Sequence, residues 1–225
     1  MASRTTTYRG GGLAITVITA ILASGWLAGP ASAADVFTPV PLGEVKVGGE
    51  IGRRIDVTLE NNLLALDADR DFLPPFEKKD RQGGYIGLGK LIDAAVRFAA
   101  YSRDERVISL KNHLVDRAIA MQEPDGYLGM MAPEHRMWGM WDVHEMGYLV
   151  YGLSSDHEIF GEKRSREAAR KTADYILRRW PTMPKDWDQS TGIATHVSVT
   201  GLERAMLRLS RLTGDPRYGD FCLKE

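Results

Sequence analysis

The chain has 225 residues, 44% hydrophobic and 26% charged, proportions of an ordinary globular protein able to bury a sizeable core. Its 29 basic and 30 acidic side chains leave a net charge of -1, which gives no electrostatic footprint for nucleic acid. The single cysteine, Cys222, excludes an intramolecular disulfide and a structural zinc site with several thiolates inside the chain.

Residues 1–33 read as a secretory signal peptide. Arg4 and Arg9 form a basic start, Leu13 through Leu27 is an apolar run, and Pro30-Ala31-Ser32-Ala33 supplies a small-residue cleavage site. Cleavage is expected after Ala33 or Ala34. The alternative, a membrane anchor, falls short of the roughly 18–20 apolar residues a spanning helix needs. No cysteine stands near the site to carry a lipid, and no second hydrophobic span follows. The expectation is a secreted or periplasmic protein with no membrane association after cleavage.

Residues 34–82 read as a lead-in segment. Val45-Lys46-Val47 alternates and suggests one short strand. Arg54 to Leu66 suits a first helix, ending in the polar run Asp67-Ala68-Asp69-Arg70-Asp71. Pro74-Pro75 predicts an extended connection, because the residue before a proline is disfavoured in the helical region.

Residues 83–225 carry a helical period. Leu88, Leu91, Ile92, Ala95, Phe98 and Ala99 share one face. Ser102-Arg103-Asp104 breaks it. Val107, Leu110, Leu114, Ala118 and Met121 then form a second face, stopped by Pro124. A third helix is expected from Val143 to Leu153. A fourth carries Ala169, Ala173, Ile176, Leu177 and Trp180, with Pro181 as its stop. A fifth carries Leu202, Ala205, Met206 and Leu209. In Thr213-Gly214-Asp215-Pro216, Asp215 suits an N-cap and Pro216 the first position of a sixth helix. The breaks at Asp104, Asp156 and Asp215 recur at intervals of 52 and 59 residues. Helix hairpins at such intervals imply an all-α repeat. The long loops 123–141 and 181–196 favour a closed (α/α)6-type toroid over an open solenoid. The sixth helix has barely begun at Glu225, so only the first part of a toroid is expected, as an N-terminal piece of a longer protein.

Four stretches resemble a known family. They are Asn62 to Arg70 with Pro75-Phe76; Ala120 to Gly129, with its Gln-Glu-Pro-Asp-Gly-Tyr-Leu turn; Val143-His144-Glu145; and Thr195-His196 with Leu209 to Tyr218. Together they are similar to the β-L-arabinofuranosidase-like glycoside hydrolases, over about residues 36–225. The resemblance implies hydrolysis of furanosyl or related glycosides, with this chain an N-terminal fragment contributing part of the sugar site. It also implies a zinc centre of glutamate and cysteines later in the toroid of some members. No segment here matches that centre, so no metal or cofactor is expected within the chain. Met146-Gly147-Tyr148 stands where many members have Leu-Tyr. Two other readings remain open. One is another (α/α)-toroid carbohydrate enzyme, a polysaccharide lyase or an unsaturated-uronyl hydrolase. The other is a non-catalytic helical repeat that binds a glycan or a protein.

The candidate substrate-binding residues are His144, His196, Trp141, Tyr127 and Asp125, at helix starts and in the long loops. The partner they imply is a carbohydrate. A neutral imidazole in a first helical turn can donate to and accept from sugar hydroxyls. His144 and His196 are expected to converge on one cavity. Asp125 and Gly126 are also turn formers, and Tyr127 could equally plug a helix end. Asp142 and Glu145 have the spacing of a capping box. Glu123, Glu134, Asp142 and Glu145 are available carboxylates, but no spacing singles out a catalytic pair.

Overall fold

The computed structural model describes residues 38–185, 187 and 199–225. The chain divides into two units, Met1–Pro39 and Val40–Glu225, and every described helix belongs to the second. The signal-peptide reading and His196 both lie outside the described residues. Nine α-helices occur among the described residues, with no strand. The nearest thing to a sheet is a single bridge between Arg81 and Met131. No described helix is long and apolar enough to cross a membrane.

The lead-in is more helical than its composition suggests. Helix α1 (Gly49–Thr58) starts five residues before Arg54 and runs into a π turn at Leu59–Leu63. Val45-Lys46-Val47 is not a strand. Its polar groups go to one tyrosine: Lys46 Nζ donates to the Tyr101 carbonyl (2.7 Å) and the Val47 N–H to the Tyr101 hydroxyl (3.1 Å). After α2 (Ala68–Asp71), Pro74-Pro75 opens a short helix, α3 (Pro74–Lys78), instead of an extended link. Prolines suit the first helical positions. Leu73 accepts a helical backbone because it and Phe76 are both buried in the core.

Three hairpins follow. They are α4 (Leu88–Ser102) with α5 (Glu105–Met121), α6 (Asp142–Phe160) with α7 (Lys163–Arg179), and α8 (Leu202–Thr213) with α9 (Pro216–Lys224). In each, one residue in the left-handed region ends the first helix: Arg103, Gly161 and Gly214. Asp104 and Asp215 then cap the second helix, accepting the N–H groups of Arg106 and Arg217. The middle break is misplaced in the sequence reading. Helix α6 does not end at Leu153 but runs through Ser154-Ser155-Asp156 to Phe160. Asp156 is no loop cap. It is wholly buried, bonded to Lys111 Nζ (2.9 Å) and to the Ser165 hydroxyl (2.5 Å). Ser155 donates to Asp93 on α4 and accepts from Arg208 on α8. These tertiary partners resolve the competition that serines and aspartates usually bring to a helix interior.

Helices α4, α6 and α8 pack side by side as an inner layer, with α5, α7 and α9 behind them. Contacts from Glu145 to Gly87 and from Ser155 to Asp93 set α4 parallel to α6. Contacts from Gly147 to Leu202 and from Ser155 to Arg208 do the same for α8. The fold is therefore the first part of an (α/α) toroid. The N-terminal ends of all three inner helices lie together, and the loops that feed α4 and α6 are bonded to each other through Arg81–Met130, Arg81–Ala132 and Gly84–Met140 main-chain contacts.

Candidate functional site

The three inner helices open in the same way. Gly87, Trp141 and Gly201 precede them with φ of 87°, 78° and 91°, and none of the three helices has a side-chain cap from its own N-cap residue. The free N–H groups of α4 are satisfied from the neighbouring helix. Glu145 Oε2 accepts from the Ile86 and Gly87 N–H groups, both at 2.8 Å, and Oε1 from Gly89 at 3.4 Å. The Asp142/Glu145 spacing is thus not a capping box within α6. Glu145 caps a different helix, where the positive end of the dipole favours its charge. Burial still pushes its pKa upward against those N–H bonds.

Asp142 is fully buried in the first turn of α6 and holds the preceding loop. It accepts from the Tyr127 hydroxyl (3.0 Å) and the Met137 N–H (2.7 Å). Burial raises its pKa from 3.8 to about 7. A carboxyl whose folded pKa is raised stabilises the fold fully below its unfolded value, and that contribution is lost as pH rises through the folded one. Asp142 should therefore make the protein less stable as pH climbs from about 4 to about 7. Urea midpoints measured across that range should fall for the wild type and stay flatter for Asp142→Asn. Equal slopes would remove Asp142 as the cause.

Above this polar floor sits an aromatic cluster. The His144 ring lies 5.1 Å from Tyr85, 5.2 Å from Trp141 and 4.8 Å from Tyr148, centroid to centroid. Lys90 Nζ is 3.0 Å from His144 Nε2 and lies over the rings of Tyr148 (4.4 Å) and Tyr85 (4.7 Å). His144 is only 6% exposed, whereas Tyr85 is 46% exposed. Burial, and then the Lys90 charge, lower the imidazole pKa, so the ring is neutral at pH 7, as its position at a helix start predicts. Nδ1 is buried and makes no hydrogen bond of ordinary geometry among the described residues. Even so, the Thr200 main chain lies close enough to favour a proton on the ring.

The structure brings His144 and Trp141 together and separates them from the other two described candidates. Tyr127 is wholly buried, a correction to its reading as a sugar platform. Its hydroxyl donates to Asp142 and accepts from the Met131 N–H, Arg136 covers its ring at 4.2 Å, and Tyr175 packs at 5.3 Å. Asp125 is exposed but serves the turn. It accepts the Tyr127 N–H (3.0 Å), and its carbonyl accepts from Arg178 on the outer helix α7. At the next residue, Gly126 has φ 97°, and a Cβ there would lie 2.3 Å from the Lys171 carbonyl oxygen, so the turn requires glycine.

Three residues escaped the sequence reading, Tyr85, Lys90 and Tyr148. A signal existed for Lys90. A lysine in the first turn of a helix opposes the dipole, and such a position needs a compensating environment, here two aromatic faces. Tyr85 carried no local signal.

Three of the four candidate carboxylates are engaged, and the fourth, Glu134, is exposed. Glu123 is paired with Arg136 (2.7 and 2.9 Å) and with Lys79 (3.1 Å), and Asp142 and Glu145 bind main-chain groups. No group of three or more His, Cys, Asp or Glu among the described residues could hold a metal ion. Cys222 packs against the carbonyls of Tyr218 and Glu203, and burial pushes its thiol pKa up. The residues described do not fit a zinc-thiolate centre.

Parallel inner helices backed by an outer layer define a segment of an (α/α) toroid. The sequence matches the family described as β-L-arabinofuranosidase, GH127 catalytic domain, over residues 56–223, and the chain belongs to that family. Its fold is similar to the crystal structure of a GH127 β-L-arabinofuranosidase from Geobacillus stearothermophilus T6. That match has a TM-score of 0.54 and 21% identity, over 76% of this chain and 30% of that one. A second GH127 β-arabinofuranosidase matches with a TM-score of 0.57 and 19% identity, over 82% of this chain and 33% of that one. The chain thus spans about a third of the length of the enzymes it matches. Among curated proteins, none matches.

Proposed function

We propose that this chain forms part of the sugar-site wall of an exported glycoside hydrolase acting on arabinofuranosides or related furanosides. The observation that carries this reading is the cluster at the inner helix ends, in a chain whose family is defined by arabinofuranosidases. Tyr85, Trp141 and Tyr148 offer ring faces suited to sugar C–H groups. Lys90, held against His144, supplies the polar contact between them. His196, in the segment before α8, is the further candidate for the same wall. Bond cleavage needs a nucleophile or base and an acid across one glycosidic bond. The commitment of Glu123, Asp142 and Glu145 to structural bonds supports a part in recognition. Export rests on the order of basic, apolar and small residues in 1–33.

Nuclear magnetic resonance titration of the folded chain with methyl β-L-arabinofuranoside tests the reading. The Tyr85, Trp141 and Tyr148 ring signals should move together and saturably, while those of Trp180 stay fixed. Shifts confined to residues away from this cluster, or none at millimolar sugar, would exclude it as the wall. Amino-terminal sequencing of secreted material should begin at Ala34 or Asp35, and recovery of an intact Met1 would exclude cleavage.

A further inference from the structure

We propose that Lys90 is a positioning residue that holds His144 as the neutral Nδ1–H tautomer, so that the Lys90 ammonium, not the imidazole, is the polar group the aromatic walls offer to a ligand. The second half rests on the sugar-site reading; the first does not.

An ammonium has three donors and no acceptor. At 3.0 Å from Lys90 Nζ, His144 Nε2 must therefore carry a lone pair, which puts the ring proton on Nδ1. A proton on Nε2 would point at the ammonium hydrogens. The Thr200 main chain, before α8, favours a proton on the same ring. The ammonium is held from three sides, by Nε2, by the Tyr85 face and by the Tyr148 face. Those two faces offset the opposing dipole at the start of α4. The one carboxylate adjacent in sequence to His144, that of Glu145, is bound to the Ile86 and Gly87 N–H groups.

With Nε2 occupied, the imidazole cannot accept from a sugar hydroxyl there. A donor-only ammonium selects acceptor oxygens, so the ligand this wall takes is one that presents hydroxyl or carboxylate oxygens beside an apolar sugar face.

The test is the long-range proton–nitrogen correlation spectrum of the His144 ring in nitrogen-15-labelled protein. The wild type should show a protonated Nδ1 and a bare Nε2. Lys90→Met should move the ring toward the Nε2–H form or a mixture, and Lys90→Arg should restore Nδ1–H. A wild-type ring already protonated at Nε2 overturns the proposal, as does a folded Lys90→Met with an unchanged ring. If Lys90→Met does not fold, the wild-type spectrum still decides. For the ligand half, methyl β-L-arabinofuranoside should bind Lys90→Met about tenfold or more weakly. Equal affinity overturns the ammonium contact. Absence of binding to the wild type instead refutes the sugar-site reading, and the tautomer result stands apart from it.

Discussion

Asp156→Ala should destabilise the fold by about 3–5 kcal/mol, the penalty for stranding one member of a buried ion pair. Lys111 and Asp156 are 3% and 0% exposed, on α5 and α6, with the Ser165 hydroxyl of α7 on the second carboxylate oxygen. The one other group at the ammonium among the described residues is the Phe160 ring, 4.4 Å away. A ring face cannot replace a carboxylate for a charge this deep. The double variant Lys111→Met, Asp156→Ala should recover most of the loss, because it leaves no unpaired charge. Urea unfolding of the wild type, both single variants and the double variant measures the coupling directly. The magnitude also discriminates between structures. An aspartate acting as a loop N-cap loses only about 0.5–2 kcal/mol on truncation to alanine. A loss in that range, with no recovery in the double variant, would return Asp156 to the loop role its spacing suggested.

The second large effect is expected at Gly89. A Cβ there would lie 2.2 Å from the Tyr148 carbonyl carbon and 2.3 Å from the Leu149 nitrogen, and a Cβ at Gly152 would lie 2.5 Å from the Gly89 oxygen. These are backbone atoms of the neighbouring inner helices α4 and α6, so no rotamer change relieves the overlap. Overpacking a core costs about 1–3 kcal/mol, occasionally more. Gly89→Ala should fall at or above the top of that range, and Gly89→Val should prevent stable folding. Gly161→Ala is the control. Its φ is 75° and its surroundings are open, so only the left-handed backbone is penalised, by roughly 1–2 kcal/mol. Gly89→Ala should also lengthen the Glu145 bonds to α4 and broaden the His144 ring signals nearby. If it is no more destabilising than Gly161→Ala, the close approach of α4 and α6 does not hold this end of the toroid together.

What the amino-acid sequence determined by itself is the local part of this protein. The apolar stripes of α4 and α5 face the core because the 3.6-residue period places them there. Asp104 and Asp215 cap their helices because each accepts an N–H two residues on, and Pro216 opens α9 because its φ is already helical. The Asp125-Gly126 turn and the repeated hairpins are legible for the same reason, as is the family likeness they carry.

Tertiary structure decided every group whose partner stands far away in the chain. Ser154-Ser155-Asp156 looks like a break when read locally. It is helix because Asp93, Lys111, Ser165 and Arg208 bring polar partners to two of its three side chains. Asp142 and Glu145 keep the spacing of a capping box, yet one holds its preceding loop and the other caps a helix that begins 57 residues earlier in the chain (Glu145 against Leu88). Tyr127 sits in a motif that suggests a sugar platform, and packing closes both its ring and its hydroxyl. Lys90 and His144 meet across 54 residues, and the proposed ring tautomer depends on that meeting. A side chain's type limits the bonds it can make. Burial and the choice of partner come from how the helices pack, and at this site those two decide the chemistry.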